Sequence, residues 1–192
     1  MIRKLLMMMV LLSGGLLAKG GDDVAIKTNL LMDAGLNVNA GVEFGLAPHW
    51  SLDISGQYNG WAVDGRRWKN WGVQPEARYW FCDRFAKHFL GFHAIGGGFN
   101  WGNLNLKYKF LGSDFSNLKD HRYQGWGAGA GVAYGYAWVV NKHWNIEAEL
   151  GIGWIYLKYD KFECQDCGKK IGNGHHNYFG LTKLALNLVY IF

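Results

Sequence analysis

Eight charged side chains occupy polar positions in segments where polar and apolar residues alternate. They comprise five acids and three bases: Glu43, Asp53, Glu76, Glu147 and Glu149 against Lys27, Arg78 and Lys183. Opposite charges confined in one interior attract each other, and breaking such a pair is costly. The interior of an eight-stranded β-barrel is just wide enough to be filled by side chains. If these segments form such a barrel, the pattern predicts a closed ion network. A path for protons or small ions along the excess carboxylates is the alternative.

A second cluster combines thiols and imidazoles towards the carboxyl end. Cys164 and Cys167 are followed by His175 and His176. Two thiolates at this spacing, with imidazoles, match part of a structural zinc site, whereas in an exported chain the same thiols oxidise to a local disulfide. We interpret the pair as a disulfide, which leaves Cys82 over, and keep zinc as the alternative. No cofactor is expected.

Nucleophilic catalysis needs a hydroxyl, a base and an orienting acid within hydrogen-bond reach. After residue 18 the serines are Ser51, Ser55, Ser113 and Ser116, and the plausible bases are His93 and His121. The pattern does not group these residues, so it predicts a protein that is not an enzyme. An enzyme acting on lipid A or phospholipid is one alternative, and a purely structural protein is another.

Residues 101–122 mix apolar and basic side chains in a way that suits a partner site. The candidate contacts are Phe110, Leu111, Phe115, Leu118, Lys119 and Arg122. Such a composition can bury an apolar anchor inside a charged rim. Basic residues in the long connections would also meet the phosphates of lipopolysaccharide. Nucleic-acid binding has no support, because no recognition motif is present.

The amino terminus has the pattern of a secretory signal peptide. Arg3 and Lys4 precede an apolar run over residues 5–17 and the small residue Ala18. Neither this run nor any later stretch approaches the roughly 20 apolar residues of a spanning helix. We expect a signal peptide over residues 1–18 and one exported domain over 19–192. Removal of Arg3 and Lys4 lowers the formal net charge from +5 to +3 (5 minus 2).

The exported part alternates with a period of two in about eight segments. The first sets Ile26, Thr28, Leu30 and Met32 against Lys27, Asn29 and Asp33. In the sixth, the apolar residues of 126–138 oppose a row that is nearly all glycine. This periodicity predicts an all-β fold, an eight-stranded antiparallel up-and-down β-barrel. A soluble barrel would show the same alternation.

Three further features favour a transmembrane barrel. The glycine row leaves room for large charged side chains inside a narrow enclosure. Aromatic residues collect at strand ends, as in the girdles of outer-membrane barrels: Trp50, Tyr79, Trp80, Trp138, Trp144 and Tyr190. Short connections at 47–49, 83–87 and 141–143 interleave with longer ones around 101–122 and 160–175. Short turns of such barrels face the periplasm, so both termini are expected there.

A weak repeat places a histidine and an aromatic residue after each short turn. It occurs as His49-Trp50, His88-Phe89 and His143-Trp144, and predicts a belt of rings at the inner membrane interface. The chain ends on Phe192, after the alternating Leu186, Leu188 and Tyr190. This ending resembles the signal that barrel-assembly machinery reads.

Five motifs spread along the exported part carry a family resemblance. They are AIKTNLL at 25–31, QPEARYW at 74–80, KYDK at 158–161, CQDCGKK at 164–170 and NYFG at 177–180. Together they resemble a Bacteroidota family catalogued as domain of unknown function 3575. The resemblance implies an outer-membrane barrel of a Gram-negative bacterium, fimbrial gene neighbours and no catalytic residues. We therefore expect a surface protein that binds or helps to assemble another component, with an appendage protein favoured.

Overall fold

The computed structural model describes residues 24–63, 66–102, 109–110, 113–114, 121–163 and 168–192. Residues 1–23, which contain the expected signal peptide, lie outside this set. The chain is all-β apart from one short helix, α1 (Leu30–Ala34). The strands are β1 (Val24–Asn29), β2 (Val38–Ala47), β3 (Trp50–Asn59), β4 (Ala62–Val63), β5 (Arg66–Trp80), β6 (Lys87–Gly102), β7 (Lys109–Phe110), β8 (Ser113–Asp114), β9 (Arg122–Val139), β10 (Trp144–Phe162) and β11 (Lys170–Ile191).

Eight of these strands form a closed antiparallel ring. Each pairs with its neighbour in the order β1, β2, β3, β5, β6, β9, β10 and β11, and β11 returns to β1. The two-residue β4 adds to β5, while β7 and β8 form a separate small hairpin. The predicted all-β fold with eight antiparallel strands is confirmed.

The ring closes with a stagger between its strands. Successive paired residues lead from Ile191 through Ala25, Glu43, Asp53, Glu76, His93, Gly131 and Gly153 to Gly180. The row therefore returns to β11 eleven residues from where it left (191 minus 180). Closing a sheet on itself requires such a tilt and stagger. As a result β1 meets only the last part of β11, over Asn187–Ile191.

Both ends of the described chain lie with the short connections. The Phe192 amide donates to the Val24 carbonyl (3.1 Å), and the Ile191 amide donates to the His143 carbonyl (2.8 Å). The Trp80 amide likewise donates to the His49 carbonyl (2.8 Å). The connections at 48–49, 81–86 and 140–143 thus share one end of the ring, as predicted. We call this the short-turn end, and the opposite one the long-loop end.

The first strand is shorter than its alternation predicts. The assignment of Leu30 and Met32 to a strand is wrong, because β1 ends at Asn29 and α1 begins at Leu30. The Asn29 side chain caps α1 by accepting from the Leu31 amide (3.1 Å), as Asn favours at helix starts. No helix in the described residues is long and apolar enough to cross a bilayer.

Two connections are shorter than the sequence suggests. Residues 160–175 are not one loop, since β10 runs to Phe162 and β11 begins at Lys170. Trp101 and Arg122 belong to the strands β6 and β9, with Trp101 paired to Tyr123. Pairing across the ring therefore carries these strands beyond the point where their alternation weakens.

Apolar residues face outwards and polar residues face inwards, as predicted. Along β10, Trp144, Ile146, Leu150, Ile152 and Trp154 are exposed, whereas the intervening Asn145, Glu147, Glu149, Gly151 and Gly153 are buried. The predicted outward orientation of Trp80 and Phe89 is wrong, because both side chains are fully buried inside the ring. Trp50 and Trp144 do face outwards.

Candidate functional site

The structure brings the eight predicted charged residues into one buried cluster, which we call the ion network. Its members are Lys27, Glu43, Asp53, Glu76, Arg78, Glu147, Glu149 and Lys183, and none is more than 8% exposed. They come from six strands, and each takes an inward position of its strand. Residues far apart in sequence meet because alternate side chains of every strand share the enclosed face.

Arg78 is the centre of the ion network. Its guanidinium donates to four carboxylates: Glu76 (2.6 Å), Glu43 (2.8 Å), Glu149 (2.8 Å) and Glu147 (3.1 Å). A fifth, Asp53, lies 3.5 Å away. The guanidinium also stacks over Phe89, 4.5 Å from the ring centroid. One cation thus contacts every acid of the network.

The two lysines extend the network on either side of Arg78. Lys27 pairs with Glu43 and lies 3.3 Å from a Glu147 oxygen. Lys183 lies 2.9 Å from Glu76 and 3.2 Å from Glu149. Each lysine is also 3.8 Å from Asp53. Every acid therefore has at least two cationic neighbours.

Acids outnumber bases in this buried cluster. Five carboxylates against three cations leave two excess negative charges when His93 is neutral. Three carboxylate oxygens have no hydrogen-bond partner among the described residues, one each on Asp53, Glu147 and Glu149. Burial penalises uncompensated charge, so the two excess negative charges are costly to the fold.

Register explains how the long cations fit. Each lies directly across from a glycine on a neighbouring strand: Lys27 from Gly41, Arg78 from Gly91 and Lys183 from Gly151. A Cβ added at Gly91 would lie 2.6 Å from the Glu76 carboxyl carbon, and one at Gly41 would lie 2.8 Å from Lys27 Cγ. The glycines therefore provide the volume that the charged side chains occupy.

Like charges also sit side by side in the ring. Glu43, Asp53 and Glu76 are consecutive partners on β2, β3 and β5, and His93 follows on β6. Directly opposed like charges destabilise a strand pair. The three cations compensate here, because their side chains reach this row from other positions.

The sequence reasoning missed the interior role of His93. Its Nε2 lies 2.9 Å from the Thr182 hydroxyl, and its Nδ1 lies 3.3 Å from a Glu76 oxygen. Thr182, His93 and Glu76 thus stand in the order of a nucleophile, a base and an orienting acid. However, His93 Nδ1 makes no hydrogen bond to any described residue, and Glu76 already binds Arg78 and Lys183. Thr182 turns inwards at a bulge in β11, which periodicity does not reveal.

An aromatic plug fills the interior at the short-turn end. Trp80 packs against Phe89 and Phe85, with ring centroids 4.6 and 6.0 Å apart, and Trp80 Nε1 donates to Ser51 (2.8 Å). Phe85 takes a left-handed backbone conformation (φ 60°), and its carbonyl accepts from the buried Asn145 amide. The predicted interior is polar throughout, so this apolar layer is a finding of the structure.

Beyond the ion network lies a cavity of about 260 Å³, lined by both polar and apolar residues. Its lining includes Asn29, Asn39, Ser55, Gln57, Gln74 and Asn187. Several of these residues lie near the long-loop ends of their strands. The interior is thus layered, with the plug, the ion network and the cavity in that order.

The candidate nucleophilic serines take other roles where they are described. Ser51 and Ser55 donate to Glu43 and Asp53 and so support the ion network. The Ser113 side chain and all of Ser116 lie outside the described residues. His121 lies just before β9.

The predicted metal or disulfide cluster is only partly described. Cys164 and Cys167 lie outside the described residues. His175 and His176 are successive residues of β11, so their imidazoles point to opposite faces, which disfavours a zinc site that uses both. Cys82 is a free, half-buried thiol in the 81–86 turn. Among the described residues, no three His, Cys, Asp or Glu side chains are arranged so that they could hold a metal ion.

Most of the candidate partner loop is likewise not described. Leu111, Phe115, Leu118 and Lys119 lie outside the described residues, as does the side chain of Phe110 in β7. Arg122 is placed in the wall instead, with its guanidinium 4.1 Å from the centroid of the Phe162 ring. Its assignment to the loop is therefore wrong.

Comparison with known proteins agrees with the motif resemblance. No curated protein matches this chain. A family model matches residues 5–192, which is almost the entire sequence. The chain therefore belongs to the family described as Protein of unknown function (DUF3575).

Proposed function

We propose that this protein is a small outer-membrane β-barrel that acts through its surface, as a binding or assembly partner of another envelope component. The observation that carries the proposal is the outer face of the ring. This face is apolar, and along β10 it runs from Trp144 through aliphatic residues to Trp154. Water would not favour such a face on a closed ring, whereas lipid would.

The height of this apolar band fits a bilayer. Ten residue steps separate Trp144 from Trp154, or about 34 Å at the usual strand rise of about 3.4 Å. A strand tilt of about 40° reduces this to about 26 Å, close to the roughly 25 Å band of outer-membrane barrels. Tyr190 lies beside Trp144, Trp138 lies directly across from Ile146, and Trp126 and Tyr156 lie near Trp154. Both edges of the band therefore carry aromatic rings, as an interface favours.

The filled interior argues against transport as the main activity. The aromatic plug and the ion network occupy the interior towards the short-turn end. We therefore assign the function to the surface. Residues 103–120 connect β6 to β9 and carry the apolar and basic mixture that suits a partner. A component of a surface appendage is the partner that we favour.

Membrane integration is tested by fractionation and gel mobility. The mature protein should remain with outer membranes after alkaline washing, and unboiled samples should migrate differently from boiled ones, because a closed ring resists detergent. Release by washing, with identical mobility, would overturn the barrel proposal.

The partner role is tested by replacing residues 103–120 with a short Gly-Ser linker. Trp101 and Arg122 are kept because they are paired strand residues. Crosslinked partners should disappear while heat-dependent mobility and the mass of lipid A stay unchanged. A changed lipid A mass, without any crosslinked partner, would favour the enzyme alternative.

A further inference from the structure

We propose that the free edge of β11 at the long-loop end is a strand-addition site that binds an acidic, extended segment of another protein. This inference rests on the proposed function, because it assigns a site to the surface partner. Within the described residues β11 pairs with β10 along its length, but with β1 only over Asn187–Ile191. Residues 171–182 therefore have one ladder filled and no described strand on the other edge, although α1 packs against β11.

Asn29 marks where the second ladder stops. Its side chain donates to the Leu184 carbonyl (3.2 Å) and accepts from the Leu186 amide (3.3 Å). These two hydrogen bonds extend the pairing along β11 beyond Asn187, before the chain turns into α1. Beyond Leu184 the described chain offers no strand on this side of β11.

The register identifies which backbone groups face the open edge. Leu184 and Leu186 direct their backbone groups towards Asn29, and such groups alternate along a strand. The bulge at Thr182 shifts this alternation by one residue. The outward amides and carbonyls are consequently those of Asn173, His175 and Asn177, whose side chains are exposed.

This edge lacks charge and proline, two of the features that normally block strand pairing. Residues 171–182 contain no proline and no Asp, Glu, Lys or Arg. Exposed edges are usually protected by charge or proline, and an unprotected one templates an added strand. Asn173, His175 and Asn177 lie beyond the Trp154–Phe179 pair that ends the apolar band, so water and soluble segments reach them.

Charge selects an acidic partner over a second copy. The described part of the distal sheet comprises residues 122–127, 157–163 and 168–177. It carries five bases and two acids: Arg122, Lys158, Lys161, Lys169 and Lys170 against Asp160 and Glu163. Lys158 is directly across from His175. Two identical edges would bring like charges together, whereas a strand rich in Glu would complement them.

The test uses the full mature protein in lipid nanodiscs. The probe is a peptide of about eight residues in which Thr and Glu alternate. The backbone amides of Asn173, His175 and Asn177 should exchange hydrogen fast in the free protein and slowly when this peptide is bound. The same peptide with alternate amides methylated, and a Thr-Lys peptide, should bind at least about tenfold more weakly. Slow exchange in the free protein would mean that its own chain covers the edge, and would overturn the inference.

Matched variants test the backbone contact. Asn177→Pro removes one outward amide and should lower the affinity for the Thr-Glu peptide roughly tenfold. Asn177→Thr should leave this affinity within about twofold of the wild-type value. Equal binding by both variants overturns the inference. So does a concentration-dependent dimer that Asn177→Pro abolishes, because a second copy would then be the occupant.

Heat-dependent gel mobility separates this inference from the proposed function. Failure of peptide binding by a protein that keeps its mobility shift and membrane location overturns only the strand-addition site. Loss of membrane location, with peptide binding retained in detergent, overturns only the outer-membrane proposal.

Discussion

Arg78 bears the largest share of the buried electrostatics, because it contacts all five acids of the ion network. We expect Arg78→Met to lower the free energy of unfolding by about 3–5 kcal/mol, since it leaves buried carboxylates uncompensated. The midpoint of heat-dependent gel mobility and urea unfolding would measure the loss. Lys142→Met, at an exposed position in a short turn, is the control and should have little effect. An equal response of both variants would contradict a network role.

Acids should tolerate neutralisation better than bases, because the network holds two more acids than bases. Glu149→Gln keeps an acceptor oxygen for Arg78 and removes one excess charge. We expect its effect on unfolding to be below about 1 kcal/mol, far smaller than that of Arg78→Met. The same unfolding assay compares the two. Comparable losses would show that the excess negative charge is fully compensated in the native protein.

Strand packing in the interior depends on glycines placed opposite large side chains. Gly91→Ala introduces a Cβ within 2.6–2.9 Å of the Glu76 carboxyl group. We expect it to destabilise the fold by about 1–3 kcal/mol through overpacking. Folding yield and the mobility midpoint would report the change.

Gly96→Ala on the same strand is the matched control. No atom of the described residues outside its chain neighbours lies within 4 Å of a Cβ placed there, so this variant should fold like the wild type. Similar losses at Gly91 and Gly96 would indicate a general strand effect and not a clash with Glu76.

The whole molecule should be closed to steady ion flow. The plug of Trp80, Phe85 and Phe89 seals the short-turn end, and the ion network fills the layer above it. Reconstituted wild-type protein in planar bilayers should therefore show no steady current. A defined single-channel conductance that Glu147→Gln or Glu149→Gln abolishes would instead establish the ion-path alternative.

The strand number and the inward set of charges could be predicted from sequence because side-chain alternation is a local property of an extended backbone. Lys27 and Arg78 alternate with apolar neighbours, so their common face follows without any knowledge of pairing. The same local logic misassigned Trp80 and Phe89. An aromatic residue at a strand end suits the lipid interface and an interior plug equally well, and only its phase relative to the charged positions separates the two.

Register, stagger and packing were decided by the tertiary structure alone. The sequence by itself determined that the chain forms about eight two-faced strands and which residues are polar or apolar along each. It did not determine that Arg78 faces Gly91, that a bulge turns Thr182 towards His93, or that β1 stops at Asn29 and leaves an edge of β11 open. Those features depend on the tilt and stagger that close eight strands into a ring, which arise between strands and leave no trace in the period of any one of them.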